Sequence, residues 1–166
     1  MRPHHHLPAR VLADHLAIEV IGPGDIPGLG RRHREQLLYR DPTGWSAMTI
    51  RVDGCTLVIH NPAHSPARQE ADIMHEVAHV VCGHDPAEFV FLPGLPFPLR
   101  TYRKEDEREA EWLGGCLQIP RLGLLWALTQ GMIQNEQIAA HFVASVAMVR
   151  FRRNMTGVDR QLAGGA

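Results

Sequence analysis

Hydrophobic positions along the chain follow two rhythms, and these separate its strands from its helices. Trp45 to Val52 and Cys55 to His60 are β-rich runs. Asp53-Gly54 lies between them. Asp-Gly is a preferred pair for the two-residue type I′ turn, so the runs predict a hairpin that ends at Asn61-Pro62. Beyond it the period lengthens. Ile73, Val77, Val80 and Val81 recur at i, i+4, i+7 and i+8, with Met74 beside them, which is the apolar stripe of a half-buried helix. Ser65 suits its N-cap, Pro66 its first position and Gly83 its stop. A second stripe, Ala110, Leu113 and Leu117, predicts a helix opening at Glu105 and running to Ile119, where Pro120 ends it.

Shorter patterns fill in the rest. Val11 to Leu16 reads as a helix, Ala17 to Ile21 as a strand, and Arg31 to Tyr39 as a charged surface helix. Leu122 to Leu128 predicts another helix. Asn135 is the expected cap of Glu136 to Phe142, and Ser145 of Val146 to Asn154. These last two have the look of a helix-turn-helix. Residues 84–104 carry Pro86, Pro93, Pro96 and Pro98, which argue against a regular helix. So long a connector is either a lid or cleft wall, or an apolar cover over the core. Residues 1–8 and 157–166 read as flexible tails.

Composition narrows the class. The 166 residues, 45% of them hydrophobic, suit one domain with a helical appendage. A net charge of −1 gives no global field toward nucleic acid or an anionic membrane. No apolar run approaches the roughly 18 residues of a membrane span, and no charged leader precedes an apolar stretch. Cys55, Cys82 and Cys116 are an odd number without framework spacing, as in a reducing compartment, and each reads as a small buried hydrophobe. The expectation is a soluble, cytoplasmic protein.

The chemistry sits inside the first long helix, as His75-Glu76-Val77-Ala78-His79. Histidines four apart lie one above the other on one helical face, so both imidazoles reach one metal ion. Glu76 can reach a water on that metal without binding it. This H-E-x-x-H arrangement points to two Zn2+ ligands and a general base for hydrolysis. A catalytic zinc needs a third protein ligand, and the acids opening the next helix offer it. Glu107 and Glu111 both flank the stripe through Ala110. Glu107 is the expected ligand, and Glu111, one turn on, the expected acceptor for a ligand histidine's other ring N–H. Gly114-Gly115 costs a helix about 1 kcal/mol per glycine, and close approach to the first helix would offset it. The metzincin pattern fits poorly, because its glycine falls on Cys82 and its last histidine on Asp85. His84 would reach the metal only if the helix had ended, and Cys82 would tend to close the open position; both are taken as structural.

The two segments, His75 to His79 and Glu107-Arg108-Glu109-Ala110-Glu111-Trp112-Leu113-Gly114-Gly115-Cys116-Leu117-Gln118-Ile119-Pro120, resemble the ImmA/IrrE metallopeptidases. There an H-E-x-x-H helix is followed by a segment like E-x-E-A-N-x-F-A-x-x-L-L-x-P. The resemblance takes in Thr56 to Asn61 and Ile138 to Ser145, and covers roughly residues 45–155. It implies an α+β fold with a small zincin-like, gluzincin-type core over residues 9–120. An antiparallel-containing sheet would pack on the H-E-x-x-H helix, with a helical lobe at 121–156 packed on the core. It also implies a zinc endopeptidase that cleaves helix-turn-helix repressors and so relieves repression. By position His75, His79 and Glu107 are ligands and Glu76 the base. This chain departs from the pattern at Glu111, Leu113-Gly114 and Leu117-Gln118, where the family has Asn, Phe-Ala and Leu-Leu. No separate DNA-binding domain is expected ahead of the peptidase.

Tyr102, Arg103 and His84 are candidate stabilisers of the transition-state oxyanion. Arg150, Arg152 and Arg153 share one predicted helix, a thin phosphate footprint that fits a lobe bracing the core or docking a protein substrate better than DNA contact. The alternative function is a non-catalytic regulator that binds a repressor or DNA on the same scaffold.

Overall fold

The computed structural model describes residues 2, 4–85, 89–90, 99–100 and 103–164. In chain order the elements are α1 (Ala9–His15), β1 (Ile18–Ile21), α2 (Arg31–Glu35), β2 (Ala47–Val52), β3 (Cys55–His60), α3 (Pro66–Cys82), β4 (Phe89–Val90) and β5 (Leu99–Arg100). They continue as α4 (Lys104–Gln118), α5 (Arg121–Thr129), α6 (Asn135–His141), α7 (Val146–Thr156) and α8 (Val158–Gly164). The fold class is α+β. Among the described residues no helix is long and apolar enough to cross a membrane.

The hairpin forms as its turn dictates. Asp53 and Gly54 take φ of 50° and 80°, the two left-handed residues of a type I′ turn. β2 and β3 pair from Ala47 opposite His60 to Val52 opposite Cys55. β1 joins the other side of β3 in parallel, Ile18 opposite Thr56, so the sheet is mixed with order β1-β3-β2. Central β3 is buried at Val58, Ile59 and His60, which explains an unbroken apolar run where a half-exposed strand would alternate. β2 is an edge: among the described residues no strand pairs with its outer side.

Two cores follow. Ala9 and Ala13 of α1, Ile18 of β1, Val58 of β3, and Ile73, Met74 and Val77 of α3 form the first. Ile119, Leu124, Ala127, Ile138, Ala139, Phe142, Ala144, Val149 and Val158 form the second, among α5 to α8. α4 connects them, lying along α3 and followed directly by Ile119 of the second core.

Several expectations are corrected. The described residues of 157–166 are no simple tail, since Val158–Gly164 is helical and Val158 is fully buried in the second core. The described residues of 1–8 are docked. His4 stacks on Trp126 with ring centroids 4.5 Å apart, and His141 Nε2 donates to the His4 carbonyl at 2.8 Å. The cap of α6 is Gln134, in a reciprocal capping box with Gln137. Asn135 Oδ1 instead accepts from Arg153 Nη1 at 2.8 Å. Cys55 is exposed and Cys82 and Cys116 are half-buried, so none is a core residue. The surface helix from Arg31 continues past Glu35 as one π-type turn, Gln36–Arg40. Most of the proline-rich connector lies outside the described residues; β4 and β5 within it pair antiparallel.

Candidate metal centre

α3 is held at both ends. Ser65 occupies the N-cap with extended backbone, and Pro66 follows at the first turn. The Ser65 hydroxyl does not cap the helix. Gln69 Nε2 instead ties the preceding loop down, donating to the His64 carbonyl at 2.7 Å and the Pro62 carbonyl at 3.1 Å. At the other end Gly83 takes φ 73°. Its N–H reaches the Val80 carbonyl at 3.1 Å, and the His84 N–H reaches the His79 carbonyl at 3.0 Å. These paired bonds are the Schellman closure, and only a left-handed residue allows them without strain.

α4 meets α3 at a glycine. A Cβ on Gly114 would lie 3.5 Å from both the Cα of His75 and the Met74 carbonyl oxygen. Gly115 faces the other way, toward Met148, Phe151 and Arg152 of α7. The expected glycine-dependent approach to α3 is not met at Gly114, where a Cβ would make only ordinary contacts; the tighter fit is at Gly115, within 3.2 Å of Met148 Sδ on α7. The acids Glu105, Asp106 and Glu107 occupy the first turn of α4, where the helix dipole favours them.

The result is a trio of possible metal ligands from two helices: His75, His79 and Glu107. His75 Nε2 lies 3.1 Å from His79 Nε2 and 3.2 Å from Glu107 Oε2; His79 Nε2 lies 3.6 Å from Glu107 Oε1. A four-coordinate divalent cation with ligand bonds of about 2.0–2.2 Å holds neighbouring donor atoms about 3.3–3.6 Å apart. The trio therefore fits such an ion almost as it stands. The side chains are 31%, 13% and 34% exposed, which leaves one side of the group open to solvent. Burial, then the neighbouring His75, holds the His79 imidazole below its ordinary range, against the opposing pull of Glu76 and Glu107. That favours the neutral ring, the form that binds metal.

Glu76 is 4% exposed and turns toward the sheet, where Thr49 Oγ1 on edge strand β2 donates to its Oε2 at 2.7 Å. A strand thus orients the carboxylate that follows the first histidine.

Glu111 is exposed and, among the described residues, makes no hydrogen bond to either histidine, so the expected acceptor role is not met. The partner of His79 is His84. Their Nδ1 atoms lie 2.9 Å apart, and His84 Nε2 lies 3.2 Å from Glu109 Oε2. His84 therefore sits behind His79, on the ring edge away from the trio. Sequence reasoning missed this role, although the signal was present. A glycine stop four residues after His79 returns the next residue over the last turn. Arg103 occupies the N-cap position of α4 without a side-chain cap bond; its side chain is 79% exposed, with Nε 4.0 Å from Asp106. Tyr102 lies outside the described residues.

The arginines of α7 are largely occupied. Arg152 is 3% exposed and donates through Nε to the Ile119 carbonyl at 3.0 Å. Arg153 binds Asp159 and Asn135. Only Arg150 of the three projects into solvent.

No curated protein and no solved structure matches the chain. Residues 54–154, which hold both helices of the trio, match the Peptidase_M78 family, described as the IrrE N-terminal-like domain, and the chain belongs to that family.

Proposed function

We propose that the protein is a zinc-dependent endopeptidase that hydrolyses peptide bonds, with a helix-turn-helix transcriptional repressor as its substrate. The observation that carries the reading is the convergence of His75, His79 and Glu107, with donor atoms 3.1 to 3.6 Å apart, next to a buried Glu76. Membership of a peptidase family supports it. Those three residues would hold the ion. A bound zinc supplies a Lewis acid for the scissile carbonyl and lowers the pKa of water.

The protein's own groups do the rest. Glu76 accepts a proton from the attacking water and later passes it to the leaving amine. Thr49 fixes the orientation of that carboxylate through Oε2. Among the described residues no strand pairs with the outer side of β2, so a substrate strand adding there would lie beside Thr49. The repressor as substrate rests on the likeness to ImmA/IrrE proteins stated from the sequence.

Glu76→Gln tests the assignment. The amide keeps the shape and cannot take the proton, so metal content is expected to stay at one ion per chain. Cleavage of a genomically adjacent repressor is expected to fall about 10²–10⁴-fold. A variant that cuts at the parent rate removes Glu76 from the chemistry.

A further inference from the structure

A second group of ligand atoms lies outside the trio. Cys82, His84 and Glu109 each place one potential donor within 4.8 Å of the others. The closure of α3 builds it: Gly83 turns left-handed between Cys82 and His84, and Glu109 reaches across from α4. His84 and Glu109 are already in contact, Nε2 to Oε2 at 3.2 Å. Thiolate, imidazole and carboxylate are each zinc donors, and the sulfur selects thiophilic ions over magnesium or calcium. Zn–S of about 2.3 Å and Zn–N of about 2.0 Å bring such donors about 3.5 Å apart, a contraction that side-chain rotation supplies, since Glu109 is 63% exposed.

We propose that Cys82, His84 and Glu109 form a second, outer site for a thiophilic divalent cation, and that filling it opposes the inner site. The opposition follows from His84, and it rests on the reading that the inner trio holds a metal. A neutral imidazole carries one ring proton. With His79 bound to a metal through Nε2, its proton is on Nδ1 and is donated to His84 Nδ1, 2.9 Å away. The His84 proton is then on Nε2 and is donated to Glu109. A cation at the outer site takes His84 Nε2 and leaves that ring's proton on Nδ1. Two N–H groups then face each other where one hydrogen bond had been. Burial, then Glu109, pushes the Cys82 thiol up, so the outer site starts as a neutral thiol and releases a proton on binding.

Cobalt(II) titration of the metal-free full chain tests this, because only a cysteine ligand produces a thiolate-to-cobalt charge-transfer band. The expected first equivalent lacks the band, and the second, at least tenfold weaker, brings it in. Cys82→Ser is expected to lose the band and keep the first equivalent. Glu109→Gln is expected to weaken the second about tenfold. In Glu107→Gln, with the inner site damaged, the band is expected at about tenfold lower cobalt. No band in the parent at tenfold excess, or a band that survives Cys82→Ser, overturns the outer site. A Glu107→Gln midpoint equal to the parent's overturns the opposition. Loss of the band-free first equivalent while the band remains would instead sink the inner-site reading and leave the outer one standing.

Discussion

The two cores of this chain bury different things. Around the sheet and α3, the interior holds His60, Asn61, His64 and Glu76 along with its aliphatic residues. The lobe of α5 to α8 buries an aliphatic set around Phe142, and Arg152 is its buried charge. Burying polar groups costs free energy unless each is partnered. Asn61 is well satisfied, donating from Nδ2 to the carbonyls of Pro42 and Trp45 and accepting the Ala63 N–H. The trio is different: two imidazole nitrogens and a carboxylate face one another at 3.1 to 3.6 Å. That arrangement gains most from a cation at its centre. The contrast teaches where to look for chemistry, in the half that tolerates polar groups crowded beyond what folding requires.

The sharpest way to break the contrast is to remove the carboxylate of the trio. Glu107→Gln keeps the volume and most of the hydrogen bonding but loses the charge. Metal affinity, read by competition with a chelator, is expected to drop more than about 100-fold, since even the partners of ligands are worth about 10–100-fold. Thermal stability of the metal-free form should hardly change, because the side chain is 34% exposed. A large loss of fold with intact metal binding would make Glu107 a structural residue and level the two halves.

The next largest effect is expected in the lobe. Arg152→Ala removes a buried guanidinium and strands the Ile119 carbonyl at the joint with α4. A loss of about 2–3 kcal/mol is expected in denaturant unfolding, from the charged hydrogen bond and the packing of its stem. Binding to duplex DNA at low salt should be the same weak background before and after. A clear fall in DNA affinity without loss of stability would turn the bracing lobe into a reading head.

Much of this layout was legible in the sequence, and the parts that were not share a cause. The hairpin announces itself through Asp53-Gly54, α3 through Pro66, its stripe and Gly83, and α4 through Ala110, Leu113 and Leu117. All are local signals, and the spacing of His75, His79 and Glu107 follows from them. What stayed hidden depends on distant partners. The parallel pairing of β1 with β3 has no short-range signature. α8 is fixed by Val158 entering a core assembled from the end of α4 and from α5, α6 and α7. The N-terminal residues dock because Trp126 and His141 receive His4. Glu111 looked right by helical spacing alone, but the Schellman turn brings His84 to the ring instead.

A pH titration sharpens the polar side of the contrast. His60 is buried in central β3, where Arg10 Nη2 donates to its Nε2 at 2.6 Å. Burial first, then the Arg10 charge, lowers its pKa from 6.5, against the pull of Asp25 and Asp72. The native ring is therefore neutral, and the unfolded chain binds the proton more readily. Its contribution to stability is present above pH 6.5 and is lost as pH falls through that value toward the native pKa. Denaturant midpoints between pH 7.5 and 5 are expected to fall more steeply for the parent than for His60→Gln. Parallel slopes would mean that the ring takes its proton in place.

The smallest expected effects lie at the two adjacent glycines, which face the two halves separately. At Gly114 an added methyl meets the α3 backbone at 3.5 Å, an ordinary contact, so Gly114→Ala is expected to gain up to about 1 kcal/mol from helix propensity. At Gly115 the methyl comes within 3.2 Å of Met148 Sδ and 3.3 Å of Arg152 Cδ. Those side chains must yield, so Gly115→Ala should gain less, near zero. Larger residues reverse the order: Gly114→Leu drives into rigid backbone beside His75, whereas Gly115→Leu presses on movable side chains. Gly114→Leu should therefore be the more damaging of the two, and the more harmful to metal affinity. If the leucine at 115 harmed metal binding more, the geometry of the site would be set by the lobe behind α4 rather than by the contact between α3 and α4.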